Sequence, residues 1–269
     1  MAFDLNKYYN LINEFKESEA EKLRRDSIPT KLVKFYSLNE DDDLNGMKLN
    51  TLEKNEIWLS SIDKFNDPFE FKNLILDEAL VKRYHCPDDK IIKLQQILYN
   101  KEYIVSCFTS NNISYLPMWA FYANNHKGFC VEYDVKDCPL IFQVIYLEER
   151  HKLGKFIINL INNLSKSKRG IENKFNTNLY VKILCQNYAI KSTQWKHENE
   201  YRLILYNKYY KNRVSLDDLK IKPQKIVAGL KCKKDHIDRL NQISNKLGLG
   251  NCYKTSMNED KYELDIEQV

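Results

Sequence analysis

Apolar residues recur at helical spacing near the start of the chain, between charged neighbours: Leu5, Tyr8, Tyr9, Ile12 and Phe15. This period predicts an amphipathic N-terminal helix within residues 1–28, from about Leu5 to Arg25. Pro29 follows, and a proline ring does not continue a helix. Two further stretches of helical period, separated near Gly170, predict an inserted helical hairpin over about residues 151–190.

Short runs rich in β-branched and aromatic residues fill much of the remaining chain. Such runs predict strands, which we place at residues 31–38, 57–62, 103–110, 128–135, 201–206 and 225–230. Helical periods between them predict helices near residues 44–52, 87–100, 117–124 and 235–247. This order predicts an α+β fold, with central mixed or antiparallel sheets flanked by helices and a C-terminal α/β extension over about residues 214–269.

Length and composition favour one elaborated domain over residues 1–269, because a chain of this size with 43% hydrophobic residues can bury a full core. Acidic residues interrupt the N-terminal segment and no stretch approaches eighteen apolar residues, so we expect a cytoplasmic protein that does not enter a membrane. The seven cysteines include no pair at zinc-site spacing, which predicts reduced thiols. A net charge of +5 with both signs mixed names no partner.

Several common catalytic motifs are absent from the sequence. It has only seven glycines and no phosphate-binding glycine loop, no Gly-x-Ser-x-Gly elbow and no His-Glu-x-x-His. The sequence therefore argues against a P-loop nucleotide hydrolase, a serine hydrolase of the elbow type and a zinc protease.

A first candidate site is the segment WKHENEYRLILY, in which Glu198, Glu200 and Arg202 are spaced two apart as the chain enters a strand. The pleat of an extended chain would put these three side chains on one face. Beside a cleft, two carboxylates and a guanidinium could stabilise developing positive charge or orient a nucleophile. The alternative is an ion pair at a sheet edge that contributes well under about 1 kcal/mol.

A second candidate site lies between residues 103 and 134, where a strand ends in small polar residues and a short aromatic helix follows. The residues that could meet a ligand here are Cys107, Thr109, Ser110, Trp119, Tyr122 and His126. Spacings of three and four direct Trp119, Tyr122 and His126 toward one side of the helix and its end. Core packing is the alternative for the aromatics, and a structural role for the histidine. Cys107 is also a candidate nucleophile, with His126 or His197 as its base.

A third candidate site is FNDPFEFK, in which Glu70 and Lys72 form a Glu-x-Lys pair with Asp63 and Asp67 upstream. Metal-dependent nucleases hold Mg²⁺ on acidic groups near a lysine, which is the functional interpretation. The alternative is a turn at residues 66–68 that is fixed by side-chain hydrogen bonds and by the proline ring.

The order of these motifs resembles the bacterial domain-of-unknown-function family 2971 over about residues 31–267. Three elements carry the resemblance: FNDPFE, the Trp-x-x-Tyr-x-x-x-His-x-Gly element, and Trp-x-x-Glu-x-Glu-Tyr-Arg. The second element comprises Trp119, Tyr122, His126 and Gly128, and the third runs from Trp195 to Arg202. The name of the family states no activity.

A more distant resemblance is to ADP-ribosyltransferases, which have a polar residue on a first strand, a Ser-Thr-Ser-like strand next and a Glu-x-Glu motif at a late strand. The matching positions here are Lys34 or Tyr36, residues 107–110 and residues 198–200. The sequence departs from that pattern in two ways, because no arginine or histidine stands at the expected place on the first strand and a cysteine replaces the usual serine in the middle motif.

That resemblance implies that NAD is the substrate. It implies that Glu200 hydrogen-bonds the nicotinamide ribose and favours an oxocarbenium-like transition state, while Glu198 orients the acceptor. Thr109 and Ser110 would then support the nicotinamide. The remaining residues expected to contact the dinucleotide are Lys34, Tyr36, Trp119, Tyr122, His126 and Arg202, with Trp119 or Tyr122 stacking on the ring.

The expected acceptor is a protein or a nucleic acid, and such an activity would suit a bacterial toxin or a phage-defence effector. Two alternatives stay open from the sequence. One is the metal-dependent nuclease built on Glu70 and Lys72, and the other is a noncatalytic ligand-binding module.

Overall fold

The computed structural model describes residues 3–72, 74–76, 78–83, 102–153 and 177–269. In that part of the chain the helices are α1 (Leu5–Asn13), α2 (Glu17–Asp26), α3 (Asp42–Glu53), α4 (Glu78–Arg83), α5 (Leu116–Tyr122), α6 (Thr177–Tyr188) and α7 (Lys234–Lys246). The strands are β1 (Lys31–Tyr36), β2 (Glu56–Trp58), β3 (Ser60–Ser61), β4 (Leu74–Leu76), β5 (Tyr103–Thr109), β6 (Phe129–Asp134), β7 (Ile141–Gln143), β8 (Ile145–Leu147), β9 (His151–Leu153), β10 (Ile190–Ser192), β11 (Glu200–Tyr206), β12 (Arg213–Ser215), β13 (Lys222–Ala228), β14 (Tyr253–Met257) and β15 (Leu264–Gln268).

These elements form an α+β fold, which confirms the predicted class. The described residues contain seven α-helices, a mixed sheet of nine strands and three two-stranded sheets. The chain divides into two compact units, the first from residues 1–28, 61–103 and 142–197 and the second from residues 29–60, 104–141 and 198–269. No helix among the described residues is long and apolar enough to cross a membrane.

The N-terminal segment of the first unit forms two helices where the sequence predicted one. Helix α1 buries Leu5, Tyr8, Tyr9 and Ile12 on one face, as their spacing predicts. Phe15 then adopts a left-handed backbone with φ of 62°, which ends the helical path before α2 begins. The apolar period therefore identified the buried face of α1 but did not reveal the break after it.

The first unit also contains the second half of the predicted hairpin. Helix α6 covers that half, whereas residues 154–176 and the helix predicted at residues 87–100 lie outside the described residues. Strand β10 pairs parallel with β8, and β4 pairs parallel with β9. Parallel strands cannot be joined by a tight turn, and in both pairs the two strands are far apart in the sequence.

The second unit is built on the large sheet, in which β1 is the central strand. The order of the strands is β15-β14-β13-β6-β1-β5-β11-β7, and β3 pairs with β5. The first residues of β3 and β7, Ser60 and Ile141, belong to the second unit. Strand β1 runs antiparallel to β5 and β6, β13 antiparallel to β6, and β14 parallel to β13. The sheet is thus mixed, as predicted.

Helix α5 packs against β1 and closes the core of this unit. The buried side chains around it are Val33, Phe35, Ile113, Met118, Trp119, Ala123, Cys130, Val227 and Leu264. The N-terminus of α3 is capped by Asp41, whose side chain accepts a hydrogen bond from the Leu44 N–H at 2.9 Å.

The connection from α5 to β6 depends on one glycine. A side chain at Gly128 would place its Cβ 2.0 Å from the backbone oxygen of Tyr36, so only glycine lets the two backbones approach this closely. Asn124, Asn125 and His126 precede it with φ between 48° and 69°. The tight turn thereby joins the aromatic helix to the central strands.

Candidate active site

All ten residues that the sequence assigned to the site lie in the second unit. Strand β1 carries Lys34 and Tyr36, the end of β5 carries Thr109 followed by Ser110, and β11 carries Glu200 and Arg202. Trp119 and Tyr122 belong to α5, His126 to the turn after it, and Glu198 to the 3₁₀ turn before β11. Thr109, Ser110, Glu198 and Glu200 thus lie where β5 ends and β11 begins, whereas Lys34 and Tyr36 lie further along β1.

Glu200 and Arg202 form a buried ion pair on β11. The Arg202 Nε and Nη2 atoms donate to the Glu200 Oε1 and Oε2 atoms at 2.7 and 3.1 Å, a two-bond arrangement that holds both groups rigidly. Their shared face follows from the pleat, as predicted. The edge-of-sheet alternative does not describe this pair, because Arg202 is fully buried and Glu200 nearly so.

Glu198 does not share that face through the pleat. Asn199 has a φ of 44°, so the chain turns between the two glutamates and the extended conformation begins only at Glu200. The Glu198 carboxylate instead accepts a hydrogen bond from the Tyr122 hydroxyl of α5. Tyr122 is half-buried, whereas Glu198 is only 3% exposed.

A network of short polar side chains fixes the backbone around Glu198. The Thr109 hydroxyl donates to the Glu198 backbone oxygen at 2.6 Å and accepts from the Asn111 N–H at 2.9 Å. The Asn199 side-chain amide donates to the side-chain oxygen of Asn111 at 2.6 Å, and the Ser110 N–H donates to the Asn199 backbone oxygen at 3.1 Å. The end of β5 therefore positions the turn that presents Glu198.

Sequence reasoning missed Asn111 and Asn199 as members of this site. The sequence did contain a signal for the turn at Asn199. Asparagine adopts left-handed backbone more readily than most residues, so an asparagine between the two glutamates could have been predicted to lie in a turn. The three-residue pattern Glu-x-Glu was interpreted as continuous strand, so the turn at Asn199 was not predicted. Ser110, which was assigned to the nicotinamide side, is exposed at this same place.

Lys34 and Tyr36 lie on β1 with their polar ends engaged. The Lys34 ammonium donates to the Cys107 backbone oxygen at 3.3 Å, and its burial lowers the pKa of that amine. The Tyr36 hydroxyl pairs with the Tyr133 hydroxyl at 2.8 Å, and its ring stacks on Phe129 with centroids 4.7 Å apart. Burial raises the pKa of Tyr36 well above its ordinary value.

Cys107 does not have the environment of a nucleophile. Burial and then the neighbouring Glu200 carboxylate raise the pKa of its thiol well above the ordinary value. The thiol is therefore protonated at neutral pH, whereas a nucleophilic cysteine needs a stabilised thiolate. The cysteine in the middle motif serves as a hydrogen-bonding neighbour of Glu200.

Trp119 is a core residue, which corrects its assignment as a stacking partner for a ligand ring. Its side chain is fully buried, the indole N–H donates to the Ile113 backbone oxygen at 2.5 Å, and the ring meets Phe35 edge-on at 5.0 Å. A ring enclosed in this way offers no open face to a ligand. Of the two aromatics, only Tyr122 reaches the Glu198 carboxylate.

His126 stacks on Trp119 with ring centroids 6.2 Å apart, and its backbone oxygen accepts from the Lys231 N–H at 2.9 Å. Burial, and then the charge of Lys231, lower the pKa of the imidazole below its ordinary 6.5. His126 is therefore neutral at physiological pH, which suits a structural role better than a charged contact with a phosphate.

Acidification is expected to destabilise the protein through His126. At a pH above about 6.5 the imidazole of His126 is neutral in both the folded and the unfolded protein. As the pH falls below that value, the unfolded chain binds a proton at this position more readily than the folded protein does. The free energy of unfolding therefore decreases. His126→Asn, which tolerates the left-handed backbone, should reduce this loss. Urea unfolding at about pH 7.5 and about pH 5.5 measures it, with exposed His197→Asn as the control. Equal losses in wild type and His126→Asn would contradict the prediction.

The residues of the third candidate site lie in the first unit. The Asp67 side chain accepts from the Phe69 N–H at 2.9 Å, and Phe65 packs edge-on against Phe71, as expected for the local turn. Lys191 Nζ lies 3.1 Å from a Glu70 carboxylate oxygen in a buried ion pair, whereas Lys72 is exposed. Among the residues that the structure describes, no cluster of three or more His, Cys, Asp or Glu could hold a metal ion.

Comparison with known proteins bears on the two motifs of this site. No curated protein and no solved structure matches the chain significantly. Residues 118–203 match the model of the family described as "Protein of unknown function (DUF2971)". That segment contains the Trp119–Gly128 element and the Trp195–Arg202 motif. The resemblance inferred from these motifs is therefore confirmed for residues 118–203, the segment in which this chain matches the family of unknown function 2971.

Proposed function

We propose that the second unit is an NAD-consuming, ADP-ribosyltransferase-like enzyme in which Glu198 is the principal catalytic carboxylate. The observation that supports this choice is the hydrogen bond from Tyr122 to the Glu198 carboxylate, beside the exposed end of β5 at Ser110. A buried carboxylate that contacts a half-exposed phenol can act on a ligand that replaces the phenol.

The reaction needs one negative group next to a sugar. When the bond between nicotinamide and ribose breaks, its electron pair leaves with neutral nicotinamide and positive charge develops on the ribose carbon and ring oxygen. A fixed carboxylate stabilises that charge more in the transition state than in bound NAD. The acceptor nucleophile then bonds to the same carbon and loses its proton to a nearby base.

In this proposal Glu198 takes the catalytic role that the resemblance implied for Glu200. Both oxygens of Glu200 receive hydrogen bonds from Arg202, so this carboxylate already has a structural role in a buried ion pair. We assign Glu200 and Arg202 to holding β11 in place. Thr109 and Asn111 position the backbone of Glu198 and therefore act indirectly.

Replacing Glu198 with glutamine is expected to reduce the rate of nicotinamide release by about 100- to 1000-fold. The amide keeps the shape of the side chain and can still accept a hydrogen bond from Tyr122, but it carries no charge. The measurement is nicotinamide release from NAD by purified protein, with and without protein or nucleic-acid acceptors. Exposed Glu267→Gln is the matched control and should retain the wild-type rate.

Different results would lead to different functions. Equal turnover by wild type and Glu198→Gln would refute the assignment of Glu198, and no turnover with any acceptor would refute the transferase. Stabilisation of the wild type by NAD without turnover would identify a binding module. Cutting of nucleic acid that requires Mg²⁺ and is lost in Glu70→Ala and Lys72→Ala would identify the nuclease.

A further inference from the structure

The loop between β11 and β12 contains an unusual combination of exposed aromatic and basic side chains. Residues 206–213 read YNKYYKNR, with three cations and no carboxylate. Tyr209 is 74% exposed, and Tyr210, Lys208, Lys211 and Arg213 are exposed as well. Exposed aromatic side chains that are grouped in one patch commonly mark an interaction site.

Trp58 of β2 extends this group of side chains. Arg213 is the direct partner of Trp58 in the antiparallel pair of β12 and β2, and its guanidinium carbon lies 5.7 Å from the centre of the indole ring. Trp58 is 40% exposed. We define the aromatic–basic surface as Trp58, Lys208, Tyr209, Tyr210, Lys211 and Arg213.

The loop that carries this surface is anchored at both ends. The Tyr209 N–H donates to the Tyr206 backbone oxygen at 3.0 Å, and the rings of these two tyrosines lie 5.6 Å apart. At the other end, the Asn212 side-chain amide donates to the Leu59 oxygen at 2.8 Å, and the Leu59 N–H donates to the Asn212 oxygen at 2.8 Å. These contacts fix the backbone of the loop at both ends, which lowers the entropy cost of binding.

We propose that the aromatic–basic surface binds single-stranded nucleic acid. Exposed rings offer faces on which unpaired bases stack, and the cations that alternate with them attract the phosphates between those bases. In a duplex the base faces are already stacked, so these rings would gain little there. Glu56 is the one carboxylate within the paired strands β2 and β12, where it lies opposite Ser215, and it is half-buried, so positive charge predominates at the aromatic–basic surface.

A second exposed tyrosine provides a matched control. Tyr262 is 102% exposed, but its neighbours Glu259, Asp260 and Glu263 make that turn acidic. Phosphates are repelled there although an aromatic ring is available. Tyr262→Ala therefore removes an exposed ring without removing the proposed binding chemistry.

The test is fluorescence anisotropy with a labelled oligothymidylate of about 20 nucleotides, titrated with protein to about 100 μM at about 50 mM salt. Tyr209→Ala is expected to weaken binding about 5-fold or more, because each stacked base contributes at least about 1 kcal/mol.

Lys208→Gln combined with Lys211→Gln should reduce the slope of log K against the logarithm of the salt concentration by about 1.4, at about 0.7 for each phosphate that a lysine no longer neutralises. Tyr262→Ala should bind like the wild type, and an unlabelled duplex should compete less well than the single strand.

Three results would overturn the proposal: no binding in this range, binding that Tyr209→Ala and the double lysine variant leave unchanged, or binding only to vesicles that contain phosphatidylserine. The last result would identify a membrane-contact surface instead. The inference does not depend on the proposed enzymatic function. Glu198→Gln should bind the oligonucleotide as tightly as the wild type does, whether or not the wild type has transferase activity.

Discussion

Replacing Arg202 with methionine is expected to lower the free energy of unfolding by about 3–5 kcal/mol. Methionine fills much of the volume of the side chain, but it removes the two hydrogen bonds and the positive charge that the Glu200 carboxylate receives. A buried carboxylate without its cation keeps the full cost of leaving water. The loss is therefore much larger than the net contribution of the intact pair.

The measurement is denaturant unfolding of Arg202→Met followed by fluorescence and circular dichroism. Arg239→Met is the matched control, because Arg239 donates to Glu53 at 2.6 Å on a partly exposed surface, where a pair contributes about 1 kcal/mol or less. Adding Glu200→Gln to Arg202→Met should recover part of the lost stability, since the unbalanced charge disappears. A loss in Arg202→Met no greater than in Arg239→Met would show that the buried pair is not a unit of stability.

Truncation of Trp119 to alanine is expected to destabilise the protein by about 3–5 kcal/mol. Its indole fills the space between α5 and β1, next to Phe35, and donates one hydrogen bond to Ile113. Alanine would leave a cavity and an acceptor without its donor. The destabilisation is measured from the shift of the unfolding transition in urea.

Phe121 supplies the comparison for Trp119 on the same helix. It is 73% exposed, so Phe121→Ala should change stability by no more than about 0.5 kcal/mol. The same pair of variants separates packing from ligand binding. If Trp119→Ala folds as stably as Phe121→Ala but loses NAD binding, the indole contacts the ligand and its assignment to the core is wrong.

Local sequence predicted much of the fold because its signals depend on neighbouring residues alone. The alternation in β11 put Glu200 and Arg202 on one face, and Asp41 capped α3 as its residue type predicts. The break at Phe15 was not predictable in the same way, because a left-handed phenylalanine has no sequence signature. The helical periods of α1 and α2 therefore predicted one continuous helix.

The candidate site was only partly predictable. The sequence identified the glutamates, Tyr122 and Thr109 as candidates, yet it assigned the leading role to Glu200. We propose Glu198 for that role because of two features that involve distant residues. One is the turn at Asn199, which Asn111 of the β5 end secures, and the other is the hydrogen bond across 76 positions from Tyr122 to Glu198.

The sequence by itself determined the class of fold, the apolar faces of the helices, the pairing of Glu200 with Arg202, and the family to which residues 118–203 match. Each of these depends on residue type and on spacing within one segment. Only the tertiary structure decided that Trp119 is enclosed, that Tyr122 meets Glu198, and that Trp58 lies beside Arg213. Burial and electrostatic environment are set by strands that are distant in the chain and adjacent in the sheet, and spacing along one segment contains no information about them.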